Sequence, residues 1–555
     1  LHKEYRRQRQ MCIRDSALGR PVVGIINTGS DFNPCHGNAD ELIERVKAGV
    51  EASGALPMAF PTISLHEAFA FPTSMYLRNL MAMDTEEMLR ALPLDSVVVI
   101  GGCDKTVPAQ LMGAISADIP FVQLVTGPMS TGSFRGQRVG ACTDCRRLWA
   151  DYRAGNLDES AIADANNALV PTIGTCGVMG TASTMALLAG AMGLMPLDGA
   201  SAPAVSADRR RIAEQTGVLA ADIAKKGGKA SDILSQSAFD NALRVLLAVG
   251  GSTNAIIHLI AIARRAGLEL GLDDFDRLSK EIPVLANIRP TGDTYLMEDF
   301  YYAGGLPALL KQIEGELDLS VMTVDGKTLG ECIETAEIYN DDVIRPLSNP
   351  VYHQGSLAVV RGNIAPDGAV MKPAAAEARL HKHTGPAIVF DSYPEMKAAV
   401  DDENLDITAD HIMVFRNAGP VGGPGMPEWG MLPIPTKLVK QGVRDMIRIS
   451  DARMSGTSYG ACILHVAPEA YIGGPLALVQ NGDMIEVDIP ARSLNLLVDE
   501  AELAKRKASW SPPEETAGRG YQWISARHIQ QADTGCDFDF LQTSFGRTAK
   551  EPDIF

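Results

Sequence analysis

Short apolar runs alternate with stretches of helical spacing along the first third of this chain. Residues 22–27 (VVGIIN) form a strand candidate that ends in a loop of Gly, Ser, Asn and Pro, and residues 41–52 follow with apolar positions three and four apart. The clearest unit is a strand candidate at 96–100, the loop Gly101-Gly102-Cys103-Asp104-Lys105, a helix at 109–117 and a strand candidate at 121–125. Strand–helix–strand units of this kind predict a parallel sheet covered by helices, an α/β fold. A further Gly-rich loop at 175–181 stands directly before a helical run at 182–192.

The texture changes near residue 353. Strand candidates at 355–362, 387–390, 411–415, 445–449 and 484–489 are separated by turn-rich segments, and residues 419–430 are dense in Gly and Pro. The pattern predicts an α/β domain over 17–353 followed by a mainly β domain over 354–555. Residues 1–16 show no periodicity, and their RRQRQMCIRDS stretch resembles translated sequencing-adapter sequence. They are expected to be extraneous or disordered.

A chain of 555 residues is too long for one core, which agrees with two domains. Its 68 acidic and 50 basic residues give a net charge of −18, which argues against a nucleic-acid partner. An anionic substrate stays admissible, because a bound metal can supply local positive charge. The most apolar stretch, 242–263, is interrupted by Gly250, Gly251, Ser252, Asn254 and His258, so no membrane span is expected. Nine cysteines are too sparse for a disulfide scaffold, and a reducing, cytoplasmic setting is expected.

Three cysteines lie in loops of unusual composition: Asn33-Pro34-Cys35-His36-Gly37, Gly102-Cys103-Asp104-Lys105 and Gly174-Thr175-Cys176-Gly177. Two of these loops directly follow a strand candidate, where α/β sheets bind ligands. Thiolates favour iron–sulfur clusters or zinc, and three protein ligands would leave one metal position open. By spacing alone, three unrelated buried thiols are the better reading, because separations of 68 and 73 residues match no compact metal motif. Cys142-Thr143-Asp144-Cys145 is a C-x-x-C pair without a second pair to complete four ligands, and is read as structural. Asp104 suits a hard cation, and Lys105 suits a substrate clamp or, as a carbamate, an oxygen ligand. Glu67 and Glu428 are loop acids of the same type. Ser455 and Thr457, in Ser455-Gly456-Thr457 after a strand candidate, offer two hydroxyls.

Together these loops resemble the dihydroxy-acid and sugar-acid dehydratase family. The resemblance rests on NPCHGN at 33–38, GGCDKTVPA at 101–109, GTCGVMGTAST at 174–184, GGSTNA at 250–255, GPGMPE at 423–428 and DARMSGT at 451–457. It implies a flavodoxin-like parallel-sheet domain followed by a β-barrel domain, and a homodimer or homotetramer. It implies a [2Fe–2S] cluster on Cys35, Cys103 and Cys176, and Mg²⁺ on Glu67, Asp104, carbamylated Lys105 and Glu428. It also implies Ser455 as the catalytic base, with Thr457 beside the substrate carboxylate. The expected reaction is dehydration of a 2,3-dihydroxy carboxylate to a 2-keto-3-deoxy acid.

SLHEAF at 64–69 and GACTDCRRLW at 140–149 are more similar to the arabonate and xylonate branch than to the branched-chain amino-acid branch. Dihydroxy-acid dehydration is the alternative. An iron–sulfur redox protein is less expected, because three cysteines do not close every iron position. A decayed sugar-acid-binding protein would not be expected to keep Ser455, Lys105 and Glu428.

Overall fold

The computed structural model describes residues 19–514 and 517–541. The expectation for residues 1–16 lies outside the described residues.

The first part follows the predicted alternation. Strand β1 (Val22–Asn27), helix α1 (Ala39–Ala52), β2 (Leu56–Pro61), α2 (Arg78–Ala91), β3 (Ser96–Gly101), α3 (Thr106–Ala117) and β4 (Phe121–Val125) succeed one another. The four strands form one parallel sheet in the order β2-β1-β3-β4. β1, β3 and β4 are apolar and buried nearly throughout, as strands covered on both faces must be. The sequence reading missed β2, because Pro57 and Pro61 suppress a strand signal. It is the edge strand, where a missing N–H is tolerated.

A small hairpin, β5 (Gly132–Phe134) and β6 (Gln137–Val139), leads into α4 (Thr143–Arg153) and α5 (Glu159–Leu169). Helix α6 (Thr181–Ala191) is buried on every side, matching its all-round apolar and small-residue sequence. Helix α7 (Ala207–Lys226) packs with α1 against β1, β3 and β4, while α6 lies with α8 (Gln236–Ala248) and α9 (Asn254–Arg265) in the helical layer that fills the main core.

The later part is an eight-stranded sheet. Its strands are β7 (Ala358–Val360), β8 (Gly368–Met371), β9 (Lys382–Phe390), β10 (Ile412–Phe415), β11 (Arg448–Ser450), β12 (Cys462–Ala467), β13 (Met484–Asp488) and β14 (Ser493–Leu496). The order is β14-β13-β9-β10-β11-β12-β8-β7, and an Arg361–Ser493 bridge brings the two ends together in a nearly closed barrel. Closure leaves few open strand edges. The strand expected at 445–449 begins only at Arg448, because Asp445 serves the turn before it. Its carboxylate accepts the N–H groups of Met446 and Ala461, each at 2.9 Å, and pairs with Arg448 at 2.6 Å.

Candidate active site

β1 and β3 are the neighbours at which the strand order reverses, and α/β sheets open a crevice beyond such a switch point. Cys35 lies in the turn Pro34–His36 after β1, and Cys103 follows β3. Glu67 comes from the loop after β2. Thr175 bridges Pro128, just past β4, which brings Cys176 to the same edge. The close approach of the β3 loop requires glycine: a Cβ on Gly102 would stand 1.8 Å from Thr126 Oγ1.

One imidazole joins the first two cysteine loops. His36 Nε2 accepts the backbone N–H groups of Gly102 at 2.9 Å and Cys103 at 3.0 Å. The proton therefore sits on Nδ1, which donates to Thr28 O at 2.9 Å. Burial pushes the ring's pKa down to about 4, so it is neutral at pH 7. His36 stands in the NPCHGN motif, but nothing in the sequence marks it as the link between the two loops. Asn33 Nδ2 fastens the same loop to Leu65 O at 3.0 Å and Ser64 Oγ at 3.1 Å, beside Glu67.

The donor atoms of Cys35, His66 and Cys103 lie within 4.8 Å of one another. His66 is a donor the sequence reading did not single out. A second sulfur pair stands beside them, with Cys142 Sγ 3.5 Å from Cys176 Sγ. The C-x-x-C motif is thus divided. Cys142 turns to Cys176, while Cys145 packs against a cluster containing Phe134, Leu148 and Ile162. The thiol pKa values of Cys35 and Cys176 are both raised, first by hydrogen bonds to Cys103 and Cys142, then by burial and nearby negative groups.

The oxygen donors form a separate group. Carboxylate oxygens of Glu67, Asp104 and Glu428 lie within 4.8 Å of one another. Lys105 Nζ sits among them at 3.1, 3.6 and 3.8 Å from Glu67, Asp104 and Glu428, fully buried and with no hydrogen bond of good geometry. Arg453, also fully buried, pairs with Glu428 at 2.9 Å and approaches Glu67 at 3.8 Å. Asn254 Nδ2 donates to Glu428 at 2.9 Å, and the Thr73 and Ser74 hydroxyls donate to Glu67.

These surroundings divide the acids. Burial raises Asp104 and Glu428 above the usual carboxylate range. At Glu67 burial acts in the same direction, but Lys105, Arg453 and the Ser74 hydroxyl outweigh it and hold the group low. Arg453 and Asn254 stand in the DARMSGT and GGSTNA motifs, yet no local signal marks them as partners of Glu428.

Ser455 and Thr457 lie on the buried loop between β11 and β12. Ser455 Oγ is 2.8 Å from Thr457 Oγ1, and the Thr457 N–H faces it from 3.5 Å. The loop presses on the start of α6: a Cβ on Gly456 would be 2.7 Å from Thr181 N. Thr143 Oγ1 donates to Thr457 O at 2.9 Å, tying the loop to the residue after Cys142.

Adjacent sulfur and oxygen donor sets, at the carboxyl edge of a parallel sheet and beside a buried serine, define a site equipped for metal-assisted chemistry. Family comparison matches residues 20–332 to the N-terminal part of the dihydroxy-acid/6-phosphogluconate dehydratase family and residues 342–536 to its C-terminal part. The chain belongs to that family and is a dehydratase.

A 6-deoxy-6-sulfo-D-gluconate dehydratase of Pseudomonas putida is 48% identical over 544 residues, covering 98% of this chain and 93% of the relative. An L-arabinonate dehydratase of Rhizobium leguminosarum bv. trifolii is 46% identical, covering 94% and 91%. A dihydroxy-acid dehydratase of Methanothrix thermoacetophila is 39% identical, covering 91% and 92%. No helix among the described residues is long and apolar enough to cross a membrane.

Proposed function

We propose that this enzyme removes water from a sugar acid, a 2,3-dihydroxy carboxylate such as arabonate or xylonate, to give the 2-keto-3-deoxy acid. The observation that carries this reading is the buried Ser455 hydroxyl on a loop pinned to the Cys142 turn, at a site that gathers both donor sets. The relatives support the sugar-acid branch: those named for sugar acids are 45–48% identical, and the dihydroxy-acid dehydratases are 37–39% identical.

The donor chemistry suits two cofactors. The thiols of Cys35, Cys103 and Cys176 would hold a [2Fe–2S] cluster, as sulfur ligands prefer. Glu67, Asp104, Glu428 and Lys105 would hold Mg²⁺, a hard cation that takes oxygen. An ammonium on Lys105 would repel that cation. Reaction of the free amine with CO₂ to a carbamate, with loss of a proton, replaces the positive charge with oxygen donors. The unbonded position of Lys105 Nζ among three carboxylates fits this modification.

When bound, the cluster and the cation supply Lewis acidity at the leaving hydroxyl and at the carboxylate end of the substrate. Ser455 takes the C2 proton. The Thr457 hydroxyl, 2.8 Å away, and the Thr457 N–H are donors that favour its alkoxide form. Proton loss from C2 and departure of hydroxide from C3 together release water and leave an enol, which tautomerises to the keto acid. Thr457 also stands next to the substrate carboxylate in this reading.

Dihydroxy-acid dehydration is the second reading, favoured by the 39% identity to the Methanothrix enzyme. Keto-acid formation from D-xylonate, L-arabonate, a hexonate and 2,3-dihydroxyisovalerate separates the two. A higher kcat/KM on an aldonate is expected, and preference for dihydroxyisovalerate would reverse the assignment. A cytoplasmic homodimer or homotetramer completes the proposal. Its support is the exposure of Phe32 (76%), Phe69 (57%) and Phe71 (87%) on the loops that carry Cys35 and Glu67. Light scattering on the purified chain measures the assembly.

A further inference from the structure

Cys142 is the sulfur that the three-cysteine reading leaves unused, yet its position is closely specified. Its backbone has φ +70°, a conformation that side-chain-bearing residues rarely adopt. The residues on either side hold it there. Asp144 Oδ2 accepts Gly140 N–H at 2.8 Å and is itself fixed by Arg289 at 2.7 Å. Thr143 Oγ1 is bonded to Thr457 O, so the turn is anchored to the catalytic loop. The turn delivers the Cys142 thiol to 3.5 Å from Cys176 Sγ.

We infer that Cys142 is a positioning residue of the metal centre, whose S–H donates a hydrogen bond to the Cys176 sulfur when that sulfur holds iron. This inference rests on the proposed assignment of Cys176 as a cluster ligand. The direction of the bond follows from chemistry. Between two free thiols either sulfur can donate, but an iron-bound thiolate has no proton, so only Cys142 can.

A donor on a ligating sulfur withdraws electron density from it. That raises the reduction potential and makes the attached iron a stronger electron-pair acceptor. The second property is the one a dehydratase uses. The Thr143 Oγ1 bond to Thr457 O also ties the residue after Cys142 to the Ser455 loop, so Cys142 is held between the cluster ligand and that loop.

The test compares Cys142→Ala, Cys142→Ser and Cys145→Ala in the full-length holoenzyme, measuring iron and sulfide content, reduction potential and the visible sulfur-to-iron bands. Cys142→Ala is expected to retain iron, to lower the potential and to shift the bands to longer wavelength. Cys142→Ser keeps a donor and should return both readouts toward wild type. Cys145→Ala lies on the same helix but packs elsewhere, so it should change neither. In turnover assays, kcat should fall in Cys142→Ala by more than KM changes.

Unchanged potential and bands in Cys142→Ala would overturn the inference. So would iron loss in that variant alone, which would make Cys142 a ligand. A shift shared by Cys145→Ala would assign the effect to the helix and would also refute it. Absence of an iron–sulfur cluster from the wild type would refute the cofactor assignment itself, and that outcome is separate from the others.

Discussion

Cys35 and Cys103 are oriented by backbone and by one neutral imidazole, whereas Glu67, Asp104 and Glu428 are oriented by buried cations. His36 carries no charge at pH 7, and its bonds run to main-chain atoms of neighbouring loops. Arg453 and the unmodified Lys105 ammonium are buried cations that pair with side chains of other loops, Arg453 with Glu428 and Lys105 with Glu67. A sulfur site can be shaped by short loops at a sheet edge, because neutral thiols need little compensation. A cluster of carboxylates cannot, because each buried charge must be balanced. The second half of the site therefore recruits residues from both the first and the later part of the chain.

The largest effect is expected where the two halves meet. Ser455→Ala should lower kcat by ~10²–10⁴-fold while iron and magnesium contents stay at wild-type levels, since the serine belongs to neither donor set. Keto-acid formation and metal analysis on the folded variant measure this. Activity within a few-fold of wild type would move the base to another group, and Lys105 without its carbamate would be the first candidate.

Arg453→Leu tests the charged half. Removing one member of a buried ion pair leaves its partner uncompensated, at a cost of about 3–5 kcal/mol. Urea unfolding should show that loss, and magnesium affinity should change with it as Glu428 and Glu67 lose their anchor. A stability change under 1 kcal/mol would mean that the charged half is as loosely constrained as a surface pair.

His36→Gln tests the neutral half. Glutamine does not titrate and cannot reproduce the ring's three bonds, so the variant should lose roughly 1–3 kcal/mol for each N–H left unpaired. The pH dependence gives a second reading. The folded-state pKa of His36, about 4, is below its unfolded value, so protons bind the unfolded chain preferentially. The stability contributed by the neutral ring is fully present above about pH 6.5 and is lost as pH falls toward 4, by up to about 3 kcal/mol. The gap between wild type and His36→Gln should therefore narrow between pH 7 and pH 4.5. A constant gap would contradict the neutral-imidazole account.

The smallest effect is expected at Cys145. It packs at the edge of a small apolar cluster away from the other sulfurs, and Cys145→Ala should cost less than about 1 kcal/mol. Iron content should not change. Iron loss would show that the C-x-x-C pair acts as a unit after all.

The strands at 22–27, 96–101 and 121–125 were legible because buried parallel strands are continuous apolar runs. β2 was hidden by its prolines, and the start of β11 was displaced by the side-chain bonds of Asp445, a tertiary effect without periodicity. Within the site, Cys35, Cys103, Glu67 and Lys105 drew attention through their loop context. Arg453 and Asn254 did not, since nothing near residue 453 or 254 reveals that Glu428 faces them. Cys142 reads as structural in the sequence because no second C-x-x-C completes four ligands, whereas the fold divides the pair and turns Cys142 to Cys176.

The sequence by itself determined the alternation of strands and helices, the later β-rich region and the loops that bear the reactive side chains. Each of these follows from local pattern: apolar period, Gly and Pro punctuation, and a polar residue where a strand ends. The tertiary structure alone decided which of those side chains share a site. Cys142 meets Cys176 across 34 positions of chain and Arg453 meets Glu67 across 386, and such contacts depend on which distant loops the fold brings together. Burial then fixed their chemistry, because the charge on Lys105 or the neutrality of His36 is set by what surrounds the group in space and not by its neighbours in sequence.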